Sequence, residues 1–471
     1  MINIIKTLIS AICLISILSG CDTTSKISTS VPHKIKDGRI VLSAPERQKG
    51  QESALLLTCA PIDTVRVGFI GVGMRGSSAV YRYTFIDGVE IAAICDIEED
   101  NIRRSQHTLA SRGLPPAAEY AGPDSWKELC RRDDIDLIYI CTPWDTHTPM
   151  AVYAMEQGKH VAIEVPAAMS IAECWQLVDT AEKTRRHCMM LENCVYDYFE
   201  MTALNMAQQG MFGEILHVEG AYIHNLEPYW KEYHNNWRLK FNAVRKGDIY
   251  PTHGLGPACQ VLDIHRGDRM EYLVSMDTES VLGKQIAAAQ LSPAELSELG
   301  TTPEEFANGD HIVTLIRTAR GKQIEIQHNV YTRRPYNRMY SITGTEGYAC
   351  KYPEEGFALN NYKGYDGESF VDDESRREIM QKFRHPITTE IEELARKVGG
   401  HGGMDFIMDY RLIYCLRNGL PLDQDVYDAA EWSCMTELSG ISIGYGSMPV
   451  EVPDFTRGDW NRIQGYTQCL K

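Results

Sequence analysis

One hexapeptide constrains the fold of this chain more than any other: Gly71-Val72-Gly73-Met74-Arg75-Gly76. The six residues before it, Val65 to Ile70, are apolar and rich in β-branched side chains, and Ser77 to Tyr83 can open a helix. A Gly-x-Gly-x-x-Gly run between a strand and a helix is a dinucleotide loop. Gly71 permits the tight turn, Gly73 lets the backbone approach a pyrophosphate, and Gly76 lets helix and strand pack closely. Amide N–H groups at the helix N-terminus then receive the pyrophosphate. A second apolar run, Val89 to Cys95, ends in Asp96. That carboxylate would accept from ribose hydroxyls and repel a 2′-phosphate, so the pattern favours NAD over NADP. Arg75 is open to two readings: it holds a phosphate, or it lies over the adenine.

The alternation continues. Glu98 to Ala110 reads as a helix, Ile135 to Cys141 as a strand, Thr148 to Gln157 as a helix, His160 to Val165 as a strand, Ile171 to Arg186 as a helix and Cys188 to Asn193 as a strand. Strands alternating with helices give βαβ units and a parallel sheet, here a Rossmann domain over residues 61–195. In such sheets ligands lie beyond the carboxyl ends of the strands. Trp144, His147, Glu164, Val165 and Asn193 collect there. His147 could equally be a neighbour of a helix cap, and Asn193 a strand-end cap.

The chain's 471 residues exceed one compact core, so a second domain over 196–471 follows. Gly213 to His224 and Thr314 to Val330 are strand-like, with rough alternation over Gln323 to Val330 that suits a sheet covered on one face. Ser292 to Phe306 is polar and helical. Glu368 to Arg377 is a charged, solvated stretch. Thr388 to Val398 and Met404 to Asn418 read as amphipathic helices, the second ending at Gly419. His401 stands in Gly-Gly-His-Gly-Gly, a plain turn or a loop able to approach a site.

Residues 1–20 read as a leader. An apolar run from Thr7 to Leu18 is too short for an ordinary spanning helix and is followed by Leu18-Ser19-Gly20-Cys21. Small residues directly before a cysteine look like a bacterial lipobox, which would make Cys21 the lipidated mature N-terminus; the other reading is a plain signal peptide. Residues 21–60 then read as a polar tether. The expected location is the cell envelope, anchored to a membrane by lipid. The 14 cysteines include no Cys-x-x-Cys pair, so they read as buried thiols with no metal site. A net charge of −17 argues against nucleic-acid binding. A homo-oligomer is compatible with the sequence.

The strand-end residues resemble those of the Gfo/Idh/MocA oxidoreductases, which couple a Rossmann domain to a C-terminal domain built on an open mixed sheet. Dehydrogenases of that superfamily carry Glu-Lys-Pro where this chain has Glu164-Val165-Pro166. Val165 cannot do the proton work of that Lys, which argues against an ordinary sugar dehydrogenase. Gly220-Ala221-Tyr222-Ile223-His224, Asn236-Trp237-Arg238 and Tyr250-Pro251-Thr252-His253-Gly254-Leu255-Gly256-Pro257 resemble glycoside hydrolase family 109. That family is known for NAD-dependent α-N-acetylgalactosaminidase activity. The resemblance implies NAD contacts at Gly71, Gly73, Met74, Arg75, Gly76, Asp96, Trp144, His147, Glu164, Val165 and Asn193. It implies sugar contacts at Tyr222, Arg238, Tyr250, Pro251, Thr252, His253 and Tyr331.

Most glycosidases use two carboxylates, and NAD-dependent families are exceptions. The implied cycle oxidises C3 of the terminal α-linked N-acetylgalactosamine of a small-molecule or glycan substrate, acidifies C2, eliminates the C1 substituent, adds water and reduces C3 again. A base near C2 is required. His253 and Tyr250 are the candidates, with the division of proton transfers between them open. If Pro251 opens a helix, the dipole would favour a Tyr250 phenolate. Arg238 offers a fork to sugar oxygens or pairs with Glu232. A sugar oxidoreductase with net hydride transfer, and a glycan-binding lipoprotein with a vestigial dinucleotide fold, are the competing readings. The location favours the redox-neutral cycle, since no pool outside the cytoplasm reoxidises NADH.

Overall fold

The structure, a computed structural model, describes residues 29–469 apart from 361 and 364. The strands are β1 His33–Lys36, β2 Arg39–Leu42, β3 Val65–Ile70, β4 Val89–Asp96, β5 Ala118–Ala121, β6 Leu137–Ile140, β7 His160–Ile163, β8 Cys188–Met190, β9 Ile215–Ile223, β10 Met270–Asp277, β11 Ile312–Thr318, β12 Gln323–Asn329, β13 Ser341–Gly344, β14 Gly347–Cys350, β15 Gly356–Leu359 and β16 Val450–Glu451. They form two sheets. Six strands in the order β5-β4-β3-β6-β7-β8 are all parallel, the Rossmann sheet. Ten strands in the order β1-β2-β16-β10-β11-β12-β9-β13-β14-β15 form a mixed sheet, in which β12 pairs with β9 and β16 with β2 in parallel.

The parallel sheet follows from composition. Phe69, Ile94, Ile138, Tyr139 and Ile163 are wholly buried, because helices cover both faces and no polar side is needed. The helix after the glycine loop starts at Met74, three residues before the predicted Ser77, since the loop turns directly into it. The predicted strand to Asn193 stops at Met190, and Asn193–Tyr196 is a 3-10 turn. The run Thr314 to Val330 is an antiparallel hairpin of β11 and β12. Met404–Asn418 is a helix, capped by Gly419 in the left-handed region.

The predicted tether over 21–60 is corrected from residue 29 onward. β1 and β2 form a hairpin at one edge of the mixed sheet, with Ile40 and Leu42 buried. Further on, Arg47 pairs with the buried Glu182 at 3.0 Å. Two inward apolar residues in a four-residue strand are too short a pattern to be visible in a polar segment. The leader and Cys21 lie outside the described residues. Among the described residues no helix is long and apolar enough to cross a membrane, and every described cysteine is a free thiol.

The domains are locked together where helix Met404–Asn418 lies on the Rossmann side. Its Asp409, wholly buried, accepts from Arg82 Nε at 2.6 Å and from the Tyr139 hydroxyl at 3.1 Å. Helix Thr252–Val261 sits on β9 at glycine-to-glycine distance. A Cβ on Gly220 would stand 2.4 Å from the Gly254 carbonyl oxygen. That close approach sets His253 beside Tyr222.

Candidate active site

The dinucleotide loop fits its ligand. A Cβ on Gly76 would lie 1.9 Å from the Gly71 carbonyl oxygen, so Gly76 is the packing glycine. A Cβ on Gly73 would meet only Asn101, at 3.6 Å, so that position faces open space. Helix Met74–Tyr83 has no side-chain cap and no acid in its first turn, which leaves its N-terminal amides for an anion. Asp96 Oδ2 accepts from the Val72 amide at 2.7 Å, and Oδ1 accepts from the Glu98 amide and the Asn101 side chain. A carboxylate has about four acceptor positions, so Asp96 can brace the loop and still accept from a ribose.

Arg75 is paired within the protein. The guanidinium turns inward, with Nε on Glu164 at 2.7 Å and NH1 on Asp405 at 2.7 Å. Asn193 donates to Asp405 at 2.5 Å. His147 is buried, with its ring nitrogens on the carbonyls of Pro166 at 2.9 Å and Thr142 at 2.7 Å. It therefore staples two strand-end loops rather than offering a free nitrogen to a ligand. Trp144 donates from Nε1 to the Val165 carbonyl at 3.1 Å, fixing its ring over the strand ends.

Trp144, Tyr222, Arg238, Tyr250 and His253 converge. The Tyr250 ring stands 5.0 Å from His253, 4.6 Å from Tyr222 and 5.7 Å from Trp144. The Arg238 guanidinium lies 4.4 Å from the Tyr250 ring centre and 5.0 Å from that of Trp144. It is 7% exposed and donates to the Tyr233 hydroxyl at 2.9 Å, with no ion pair to Glu232. Among the described residues no carboxylate pairs with it. Burying such a cation is costly unless something negative faces it.

Glu192 is the residue that motif reading missed. It is wholly buried, and its carboxylate receives His253 Nδ1 at 2.8 and 2.9 Å. Burial pushes its pKa up, but the neighbouring His253, Thr252 and the Cys194 amide pull it below the ordinary carboxylate value. An ionised carboxylate only accepts, so Nδ1 carries a proton, and in the neutral ring the lone pair is on Nε2. Nε2 has no protein partner among the described residues, and the side chain is 12% exposed. The signal was present, as Glu192 directly precedes Asn193 at a strand end. Cys194 stands close by; Glu192, Cys194 and His253 gather ligand atoms within 4.8 Å of one another, a set able to hold a metal ion.

Pro251 caps the helix rather than occupying its first turn, and Thr252 is wholly buried beneath the site. The phenolate expected at Tyr250 is corrected: burial pushes the phenol well above its ordinary pKa, outweighing Arg238. Tyr222 is pushed to about 12 by burial, and its hydroxyl shares a 3.0 Å hydrogen bond with His224 Nδ1. Tyr331 is corrected as a sugar contact. It is 1% exposed, donates to Asn308 at 2.9 Å and accepts from Asn242 at 2.7 Å, so it backs the pocket wall. The His401 loop does approach the site, with Nδ1 on Asp405 at 2.9 Å.

Comparison with known proteins places both halves of the chain. Residues 65–192 match the model of the oxidoreductase family with an NAD-binding Rossmann fold, and 196–462 match the model of glycosyl hydrolase 109, C-terminal domain. The chain is 54% identical over 459 residues to glycosyl hydrolase family 109 protein 1 of Bacteroides thetaiotaomicron, covering 95% of this chain and 96% of that one. It is 54% identical over 443 residues to the family 109 protein of Porphyromonas gingivalis, covering 92% and 93%. In fold it is similar to a levoglucosan dehydrogenase in complex with NADH and levoglucosan (TM-score 0.61, 18% identity, 83% of this chain and 100% of that one). It is also similar to an oxidoreductase from Agrobacterium radiobacter in complex with NAD+, L-tartaric acid and magnesium (TM-score 0.58, 14% identity, 82% and 98%). NAD is the cofactor of this Rossmann domain, and with both halves matched in sequence and architecture, the chain belongs to glycosyl hydrolase family 109.

Proposed function

We propose that this enzyme releases terminal α-linked N-acetylgalactosamine through oxidation at C3, elimination, addition of water and reduction at C3, with no net redox. NAD, when bound, supplies the hydride acceptor and the returning donor. The observation that carries this reading is the Glu192–His253 pair beside Tyr250, over a strand end where Val165 occupies the position of the dehydrogenase lysine. Glu192 fixes the His253 tautomer, leaving Nε2 as the base for the C2 proton. His253 Nε2 first takes the C3 hydroxyl proton as C3 loses hydride and hands it to solvent, then takes the C2 proton, while Tyr250, which burial keeps protonated, donates a hydrogen bond to the C3 oxygen. Arg238, a buried cation without a carboxylate partner among the described residues, favours negative charge growing on a sugar oxygen beside it. The aromatic walls exclude water from that charge.

Mixing the protein with NAD and aryl α-N-acetylgalactosaminide tests the reading. Free sugar and phenol with no growth of NADH absorbance support it. NADH accumulating in step with substrate consumed means a sugar oxidoreductase instead, and glycan binding without turnover means a binding lipoprotein.

The lipobox at Leu18-Ser19-Gly20-Cys21 supports delivery to the cell envelope as a lipid-anchored protein. Replacing Cys21 by Ala is expected to move the protein from the membrane fraction to the soluble one. Equal membrane retention of wild type and variant would contradict the anchor.

A further inference from the structure

Asp405 gathers more partners than any catalytic step requires. It stands in the first turn of helix Met404–Asn418, at 1% exposure, delivered by the Gly399–Gly403 loop. A Cβ on Gly400, whose φ is +83°, would lie 2.7 Å from the Asp405 Cβ, so the loop wraps this side chain at a distance only glycine allows. Its carboxylate receives Arg75 at 2.7 and 3.3 Å, His401 at 2.9 Å, Asn193 at 2.5 Å and, more distantly, Arg82 at 3.6 Å. Burial opposes its ionisation, yet Arg75, His401 and Arg82 hold it well below the ordinary carboxylate value.

Its partners come from both domains, Arg75, Arg82 and Asn193 from the Rossmann side and His401 from the C-terminal side. Arg75 follows β3, Glu164 follows β7 and Asn193 follows β8. With Arg75 also on Glu164 at 2.7 Å, the network runs along the carboxyl edge of the sheet, from β3 across β6 and β7 to β8. That edge is where this fold class binds its dinucleotide. The network thus ties the dinucleotide loop to the C-terminal domain across the binding edge.

We propose that Asp405 is a cofactor-retention clasp: by bridging Arg75 and Asn193 it holds the dinucleotide loop against the C-terminal domain, so that NAD leaves only when this bridge opens. The inference rests on the Rossmann domain holding NAD. A clasp suits a cycle that returns its cofactor unchanged, since nothing is gained by exchanging NAD between turnovers. Asp405 here is a positioning residue. Arg82 also pairs with Asp409 on the same helix at 2.6 Å, so loss of Asp405 leaves that second anchor in place.

The test is the release rate of labelled NAD from the loaded enzyme, chased with excess unlabelled NAD, for wild type, Asp405→Asn, Arg75→Gln and the double variant. Each single variant is expected to speed release about tenfold or more, corresponding to about 1.4 kcal/mol. The double variant should release at about the rate of the faster single, because both changes break one bridge. Release of NAD from Asp405→Asn at the wild-type rate overturns the clasp, as do effects that multiply in the double variant. Should Asp405→Asn fail to fold, a wild-type rate in Arg75→Gln overturns it alone. A wild type that binds no NAD at all would instead sink the cofactor assignment, a separate failure.

Discussion

Replacing His253 by Ala is expected to lower turnover by about 100- to 10,000-fold while NAD binding stays intact. The expectation follows from geometry. His253 is partly exposed with no hydrogen-bond partner for Nε2 among the described residues, and its other nitrogen is spent on a wholly buried carboxylate. Glu192→Gln should lose part of the same factor, because an amide no longer dictates which nitrogen carries the proton. Initial rates on an aryl substrate, with NAD content read after denaturation, check both. Near-normal turnover in His253→Ala removes the imidazole from the proposed chemistry.

Two glycines of one loop should fail in opposite ways. Gly76→Ala puts a methyl group 1.9 Å from the Gly71 carbonyl, against backbone that cannot rotate aside. Overpacking of this kind typically costs about 1–3 kcal/mol and here should reach or exceed that range, so the variant unfolds early or is not recovered. Gly73→Ala meets only Asn101, at 3.6 Å. Its fold should survive with an unchanged melting temperature in the absence of cofactor. Its affinity for NAD should fall by about tenfold or more, since a methyl group occupies the approach to the pyrophosphate. Thermal melts and NAD titration of the two variants separate these outcomes. A Gly73→Ala protein that binds NAD normally would contradict the placement of the ligand.

The Rossmann half was legible because its information is local. Each strand is a short apolar run and each helix follows within a few residues, so β3, β4, β6 and β7 fall where the pattern puts them. The mixed sheet was not legible in the same way. β9 pairs with β12 and β13, which lie roughly a hundred residues away, and no period in β9 names those partners. The edge hairpin β1–β2 was invisible because four residues are too few to show a pattern.

The site divides along the same line. Tyr222, Arg238, Tyr250 and His253, from separate motifs, converge. Tyr331 does not, because Asn242 and Asn308, distant in sequence, close over its hydroxyl. The Tyr250 phenolate failed on magnitude. A helix terminus contributes about 0.3–1 kcal/mol, whereas burying a charged phenolate costs about several kcal/mol. Arg75 turned to Glu164 and Asp405 because two carboxylates from separate segments meet at the start of its helix, a coincidence of topology that spacing cannot reveal.

The account stands on a C2–H bond that breaks and re-forms in every turnover. The direct measurement is hydrolysis of an aryl α-N-acetylgalactosaminide in D2O, with the released sugar examined by NMR and mass spectrometry. The account predicts one deuterium at C2, hydrogen retained at C3 and no accumulated NADH. A released sugar that keeps its original hydrogen at C2 would contradict it.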